Sequence, residues 1–373
     1  MIKAADYGVV ADGLANNTAA MRAAIAASAS TGDGDILLPD GVIAVDDVLQ
    51  VVMPGTIIHG SGRGRCTIKT THPSRNILEL VGWDTEARQL SFESGVTRTG
   101  GVSVKLTGVR SRIRDFMVNH DFIGIHMSGV ASRIEDGVMT TGTQYGTRVL
   151  VDGGDVSQII DRLLIGAQDG PMPDYGIKVT HNMALIISNT SVLTAGICLG
   201  IVPDNGQGVH SLYAHHCFFD SSKIGVLIAP VNMGNVSRIK LDQCWTGGHV
   251  QNGVDIRRTG SGDCSGIHLN NHDSLNNGLS GVSVGPGVTD FTINGGQFAG
   301  NAHGVYMAQG CTDWSILNAT IGRGAGMVPN RGWGVLAENY CNRYLVAGNR
   351  MVDNGSGSTT AMNNQFGQVY GNI

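Results

Sequence analysis

The sequence predicts an all-β protein wound as a right-handed, single-stranded parallel β-helix with a short N-terminal capping helix. Three observations predict it. Glycine is abundant, 55 in 373 residues, roughly twice the usual share, without a G-X-Y period. Glycine also precedes an apolar residue again and again, at Gly124-Ile125, Gly176-Ile177, Gly196-Ile197, Gly225-Val226, Gly253-Val254, Gly281-Val282, Gly304-Val305 and Gly334-Val335. Finally, short segments with alternating apolar residues recur: "SRIRDFMV", "SRIEDGVM", "SQIIDRLL", "HSLYAHHC", "SRIKLDQC", "SGIHLNNH", "TDFTINGG", "TDWSILNA" and "NRYLVAGN".

The first apolar residues of these segments are Ile113, Ile134, Ile159, Leu212, Ile239, Ile267, Phe291, Trp314 and Tyr344, with Leu185 in the gap before Leu212. Their spacing runs from 21 residues (Ile113 to Ile134) to 30 (Trp314 to Tyr344). Strands this short bury no face alone, so each period reads as one coil sharing a continuous interior with its neighbours. Propeller blades are longer, about 40 to 50 residues, and the Leu/Asn consensus of a leucine-rich solenoid is missing.

The elements follow in order. Asn16, Asn17 and Thr18 offer side-chain acceptors just before the alanine-rich run Ala19 to Ala29, which marks a helix start. Met21, Ala24 and Ile25 give that helix one apolar face. The Pro39-Asp40-Gly41 turn between Ile36-Leu37-Leu38 and Val42-Ile43-Ala44-Val45 marks the β-structure it sits on. The helix is expected to cover the open first coil and its unpaired strand edges. Residues 1–45 thus form the cap and first strands, and residues 46–373 one continuous β-helix, with the repeat faint between 46 and 110.

Composition narrows the function classes. Net charge is −5 and charged residues are 15% of the chain, with no basic stripe for a nucleic-acid partner and no apolar run near the roughly 18 to 20 residues of a membrane span. The start Met-Ile-Lys-Ala-Ala-Asp lacks the apolar core and cleavage site of a secretory signal, so export by that route is not expected. Seven cysteines without a CxxC or CxxH pattern read as buried free thiols. No His, Asp and Glu spacing suggests a metal, and no cofactor is expected.

The run "DYGVVADGLANNTAAMRAAIAAS" with "ILLPDGVIAV" resembles the N-terminal signature of the pectate-lyase-like β-helix superfamily, shared by phage tailspikes, glycosidase-28-related proteins and some glucanases. The end, "GWGVLAENYCNRYLVAGNRMVDNGSGSTTAMNNQFGQVYGNI", looks like the closing coils of phage tail proteins of this group. The signature is specific for fold and poor for reaction. Of the polygalacturonase motifs only Arg238-Ile239-Lys240 is present, at a repeat position where Ser-Arg-Ile recurs without Lys. The calcium-and-arginine constellation of pectate lyases and the Y-G-F-D-P-H motif of mannuronan epimerases are not visible. The resemblance implies a tailspike-type depolymerase of a bacterial surface polysaccharide, on a virion or outside the cell, assembled as a homotrimer and in contact with other phage tail proteins. Its alternatives are a cellular polysaccharide lyase or hydrolase and a glycan-binding module without catalysis.

Strand alternation then serves as a ruler. With Leu212, Ile239, Ile267 and Phe291 inward, one outward column reads Tyr213, Lys240, His268, Thr292 and the next His215, Asp242, Asn270, Asn294. Adjacent coils lie about 4.8 Å apart, which brings these side chains together, with Phe218, Trp245 and Asp273 at the bend beyond. An aromatic for a sugar face, flanked by donors and acceptors, suits a carbohydrate platform; stacked polar columns are also what any β-helix shows to water. Hydrolysis needs two carboxylates about 5 to 10 Å apart, for which Asp242 with Asp273 or Asp220 qualifies. Elimination on a uronate needs a cation to neutralise the acid and a base such as His, Tyr or Lys, a route that Tyr213, Lys240 and His268 suit; His215 is the remaining catalytic candidate. Trp245, His268 and Asn270 are the expected substrate contacts. The coils near Trp83, Asp84 and Glu86 are the competing location.

Overall fold

Strands that alternate one residue in and one out leave each coil with an apolar inner rim and unmade backbone hydrogen bonds, and the next coil answers both needs. The computed structural model describes residues 1–140, 142–153, 157–166, 172–324, 326–360 and 367–373, with the backbone alone at 142–145. It is a parallel β-solenoid with a single α-helix among the described residues, dividing into two compact units, Met1–Lys178 and Val179–Ile373.

In the first unit the strands Ile2–Lys3, Asp35–Leu37, Ile57–His59, Glu86–Ser94, Arg112–Val118, Arg133–Met139 and Gln158–Ile165 stack in parallel. Another column holds Leu49–Val51, Leu78–Leu80, Val102–Leu106, Asp121–Met127 and Gly142–Asp152. Regular coils therefore fill 46–110, where the sequence repeat is faint. One cause is Glu86–Ser94, a nine-residue strand whose first half pairs with Ile57–His59 and second half with Cys66–Thr70. The two strands of earlier coils merge there, so the spacing of the pattern changes.

The helix spans Thr18–Thr31 and buries Met21, Ala24 and Ile25, the expected face. Its N-terminus corrects the reading of Asn17. That side chain makes no capping bond to the helix; buried, it accepts from the Val10 N–H at 2.7 Å and donates to the carbonyls of Val10, Ala15 and Ala44. Asn16 instead accepts from the Thr18 N–H at 3.0 Å, and the Thr18 hydroxyl bonds Asp46 at 2.8 Å. Asn17 thus ties the helix start to the first strands.

A second correction concerns Ile159. Ile134 pairs with Ile160, and Ile159 pairs with Arg133 on the outward side. Two adjacent isoleucines leave alternation undecided. Buried Gln158 decides it, by donating to the Gly129 carbonyl at 2.7 Å and so turning Ile159 outward.

The second unit has three strands per coil, for example Asn235–Asp242, Trp245–Gly247 and Val254–Ile256. Leu212, Ile239, Ile267, Phe291, Trp314 and Tyr344 all point inward and are buried. Phe218, Trp245 and Asp273 begin the second strand of their coils; they do not form the bend, which is a single left-handed residue before them, His216, Gln243 or Asn271 (φ 51°, 50° and 46°).

The recurrent glycines have a packing cause. A Cβ on Gly281 would stand 2.7 Å from the Gly304 carbonyl oxygen, and one on Gly304 would stand 2.6 Å from that of Gly334. Beside them runs a buried polar ladder. The Ser222 N–H donates to His249 Nδ1 at 3.2 Å, the His249 N–H to Asn277 at 3.2 Å, the Asn277 N–H to Asn301 at 2.9 Å and the Asn301 N–H to Asn330 at 3.0 Å. Burial holds the His249 imidazole down at about 4, hence neutral, which leaves Nδ1 free to accept while Nε2 donates to the Phe219 carbonyl at 3.1 Å. All seven cysteines are free and buried.

Removing one ladder side chain strands buried donors on the coil before it. Asn301→Ala is expected to cost about 2 to 4 kcal/mol, and Asn294→Ala, on an exposed strand position, under about 0.5 kcal/mol. Chemical denaturation of the two variants checks this.

Candidate functional site

The outward columns of the second unit carry the candidate side chains because strand pairing holds them in register. Tyr213 pairs with Lys240, Lys240 with His268 and His268 with Thr292. His215 pairs with Asp242, Asp242 with Asn270 and Asn270 with Asn294. On the second strand Phe218 pairs with Trp245 and Trp245 with Asp273. All eight residues singled out in the sequence therefore lie on consecutive coils, divided between two strands by the left-handed corner.

Each column has its own physics. Lys240 Nζ lies 5.2 Å from the centroid of the Tyr213 ring, a cation–π contact that fixes both side chains. His215 and His216 meet ring nitrogen to ring nitrogen at 3.2 Å, and His216 Nε2 reaches Gln243 Oε1 at 2.7 Å, so the corner residues lock the histidines. Asp242 stands half-buried between His215 and Asn270.

Beyond the corner, Phe218 is 54% exposed and its ring lies 6.3 Å from that of Trp245, tilted by 42°. The Trp245 indole lies across Gly247, where a Cβ would stand 2.4 Å from Cζ2; the glycine gives the ring room to lie along the sheet. The two rings form an aromatic shelf in water, a surface that stacks on the apolar face of a sugar. Phe218 is the substrate-contact candidate that the sequence left out of the site, although its position in the Trp245 column was visible.

Asp273 continues that shelf onto the next coil. Burial pushes its carboxyl above the ordinary Asp value, opposed by the Gln297 N–H that donates to it at 2.8 Å. It is a carboxyl beside an aromatic shelf that holds its proton more readily than an ordinary Asp, the direction a general acid needs. Asp220, the other carboxylate considered, accepts from the Ser221 hydroxyl at 2.9 Å. In the first unit Trp83 is 61% exposed and Asp84 is held by Arg110 through two bonds of 2.6 Å. Among the described residues no three His, Cys, Asp or Glu side chains gather as a metal site requires, and no helix is long and apolar enough to cross a membrane.

This architecture is that of known right-handed parallel β-helix proteins. The Dettilon tailspike protein gp208 matches with a TM-score of 0.70 at 14% identity, over 96% of this chain and 68% of its own. The A-module of Azotobacter vinelandii mannuronan C-5 epimerase AlgE6 matches at 0.64 and 14%, over 100% and 99%. The catalytic domain of a GH87 α-1,3-glucanase in complex with nigerose matches at 0.58 and 10%, over 94% and 67%. No protein-family model and no curated protein sequence matches the chain. The fold is thus that of a right-handed parallel β-helix.

The raised carboxyl gives a signed expectation. Between the ordinary Asp value of 3.8 and its higher folded value, Asp273 holds its proton more in the folded than in the unfolded state, so it lowers stability as pH rises through that window. Asp273→Asn keeps an acceptor for the Gln297 N–H and removes the decline. Thermal midpoints of variant and wild type should agree below the window and separate above it, with the variant higher.

Proposed function

We propose that this protein is a tailspike-type depolymerase, binding a bacterial surface polysaccharide on the Phe218–Trp245 shelf and cleaving it with Asp273 as general acid and Asp242 as the second carboxylate. The observation that carries this is the union, on successive coils, of a solvent-facing aromatic pair and a half-buried carboxyl paired with it across the strands, which burial shifts toward the acid form relative to an ordinary Asp. The fold's occurrence in a tailspike, a mannuronan epimerase and a glucanase holding nigerose supports a glycan as the ligand. His268 and Asn270 supply donors and acceptors for sugar hydroxyls, and Tyr213, Lys240 and His215 border the cleavage point. Elimination through Tyr213, Lys240 and His268 is the other chemistry these columns allow. The small, glycine-rich character of the chain favours lateral packing of three copies, as in the tailspikes it resembles, with other tail proteins as neighbours on a virion.

Incubation with capsule and lipopolysaccharide from a broad host panel, followed by sizing of the products, is the test. Shortened polymer is expected; intact polymer across the panel, with binding retained, would leave a glycan-binding module without catalysis. Products carrying the ultraviolet absorbance of an unsaturated uronate would replace hydrolysis by elimination. Asp242→Asn and Asp273→Asn should each lower turnover by about 100-fold or more, and Trp245→Ala should weaken glycan binding about 10-fold, the worth of one lost stacking surface, with turnover at saturation retained. Sedimentation at micromolar concentration should show a trimer; a monomer would contradict that assembly.

A further inference from the structure

The first unit carries charges that the depolymerase site does not use. Two outward columns on consecutive coils read Glu86, Arg112, Arg133 and Arg88, Arg114, Glu135. Stacked guanidinium groups repel, and only two carboxylates are set among these four. Glu86 is approached by Arg114 at 2.8 Å, Arg88 at 3.4 Å and Arg112 at 3.7 Å. Glu135 is approached by Arg112 at 3.7 Å and Arg133 at 3.8 Å. Within these columns four cations thus share two anions, on a chain whose net charge is −5; of the carboxylates beside them, Asp161 on the following coil is paired with Arg162 and Asp115 with Arg63.

The hydrogen bonding is as uneven as the charge. Arg110 is spent on Asp84 through two bonds of 2.6 Å. Arg112 and Arg133 sit beyond hydrogen-bond reach of either glutamate, and the buried Arg88 Nε has no acceptor. Arg112 and Arg133 line a hollow of about 210 Å³ together with Arg110, Thr85, Ala131 and the carboxylates of Asp84 and Glu86, three cations to two anions. Arg88 and Arg114 line a second of about 270 Å³ with Gln89 and the carboxylate of Asp115, two cations to one anion. A planar anion is the ligand that satisfies forked donors in parallel, and hollows this small hold one charged sugar residue each.

We propose that this face is a binding site for an acidic polysaccharide, with the carboxylate of a uronate residue seated between Arg112 and Arg133 and a second anionic residue of the same strand at Arg88 and Arg114. The inference rests on the glycan reading above only in taking the ligand to be a saccharide, and it makes that glycan acidic. Phosphate and sulfate share the charge and lack the ring.

The test is calorimetric titration of the whole protein with a glucuronate trisaccharide, the neutral glucose trisaccharide of the same linkage, and inorganic sulfate. Expected is binding of the acidic sugar at least about 10-fold tighter than either of the others, weakening as salt rises. Arg112→Lys keeps the charge and loses the fork, and should weaken binding about 5- to 10-fold; Arg133→Ala should do the same, both with an unchanged thermal midpoint. Equal affinity for the acidic and neutral sugars, or insensitivity to both variants, overturns the proposal; sulfate binding as tightly as the trisaccharide overturns its saccharide part. Uronate binding without cleavage of any host glycan would remove the depolymerase and keep this site, and cleavage of a neutral polymer without uronate binding would do the reverse.

Discussion

Parallel pairing of each coil with the next, in register, is the constraint on which the rest of this structure depends. A strand of three or four residues has no stability alone, and here its N–H and C=O groups are answered one period away in the chain. A side chain's nearest neighbours are therefore the residues at the same position one coil before and after. Like stacks on like, with consequences that differ by chemistry. Asparagine carries a donor and an acceptor, so the Asn277, Asn301, Asn330 stack satisfies itself. Glycine stacks allow backbones to close. Arginine stacks do not satisfy themselves, and the strands bearing Arg88, Arg112, Arg114 and Arg133 hold together because Glu86 and Glu135 are set among them.

The same register builds the candidate site. Asp242 and Trp245 are three residues apart, yet the left-handed corner at Gln243 puts them on different strands. Trp245 and Asp273 are 28 residues apart and are direct partners. The aromatic shelf and its acid are thus assembled across coils, and Gly247 contributes by what it lacks, since a side chain there would meet the indole. Asp273 derives its raised carboxyl from this position, half-buried at the start of a strand, with one backbone N–H in place of a full solvation shell.

Much of this was legible in the sequence, because period-two alternation and a roughly constant coil length are both written in residue type. The columns through Tyr213, Lys240, His268 and His215, Asp242, Asn270 follow from the ruler alone. The ruler gave no answer at Ile159 and Ile160, where either residue suits the core and a buried glutamine chooses. Asn17 was misread because a cap and a tether use the same amide, and only the tertiary position of Val10 and Ala44 distinguishes them. Between residues 46 and 110 the period is blurred where Glu86–Ser94 spans two columns. The arginine face went unremarked because a 15% charged composition is an average. "SRIRDFMV" and "SRIEDGVM" did show Arg112, Arg114, Arg133 and Glu135, but not that pairing would lay them side by side.

The inner polar ladder has a direction. The Ala195 N–H is satisfied by Ser222, 27 residues later, that of Ser222 by His249, and that of His249 by Asn277. Every coil in this stretch is completed by the one that follows it in the chain. Loss of a following coil would therefore leave a donor unanswered inside the coil before it, so the ladder makes each of these coils depend on its successor.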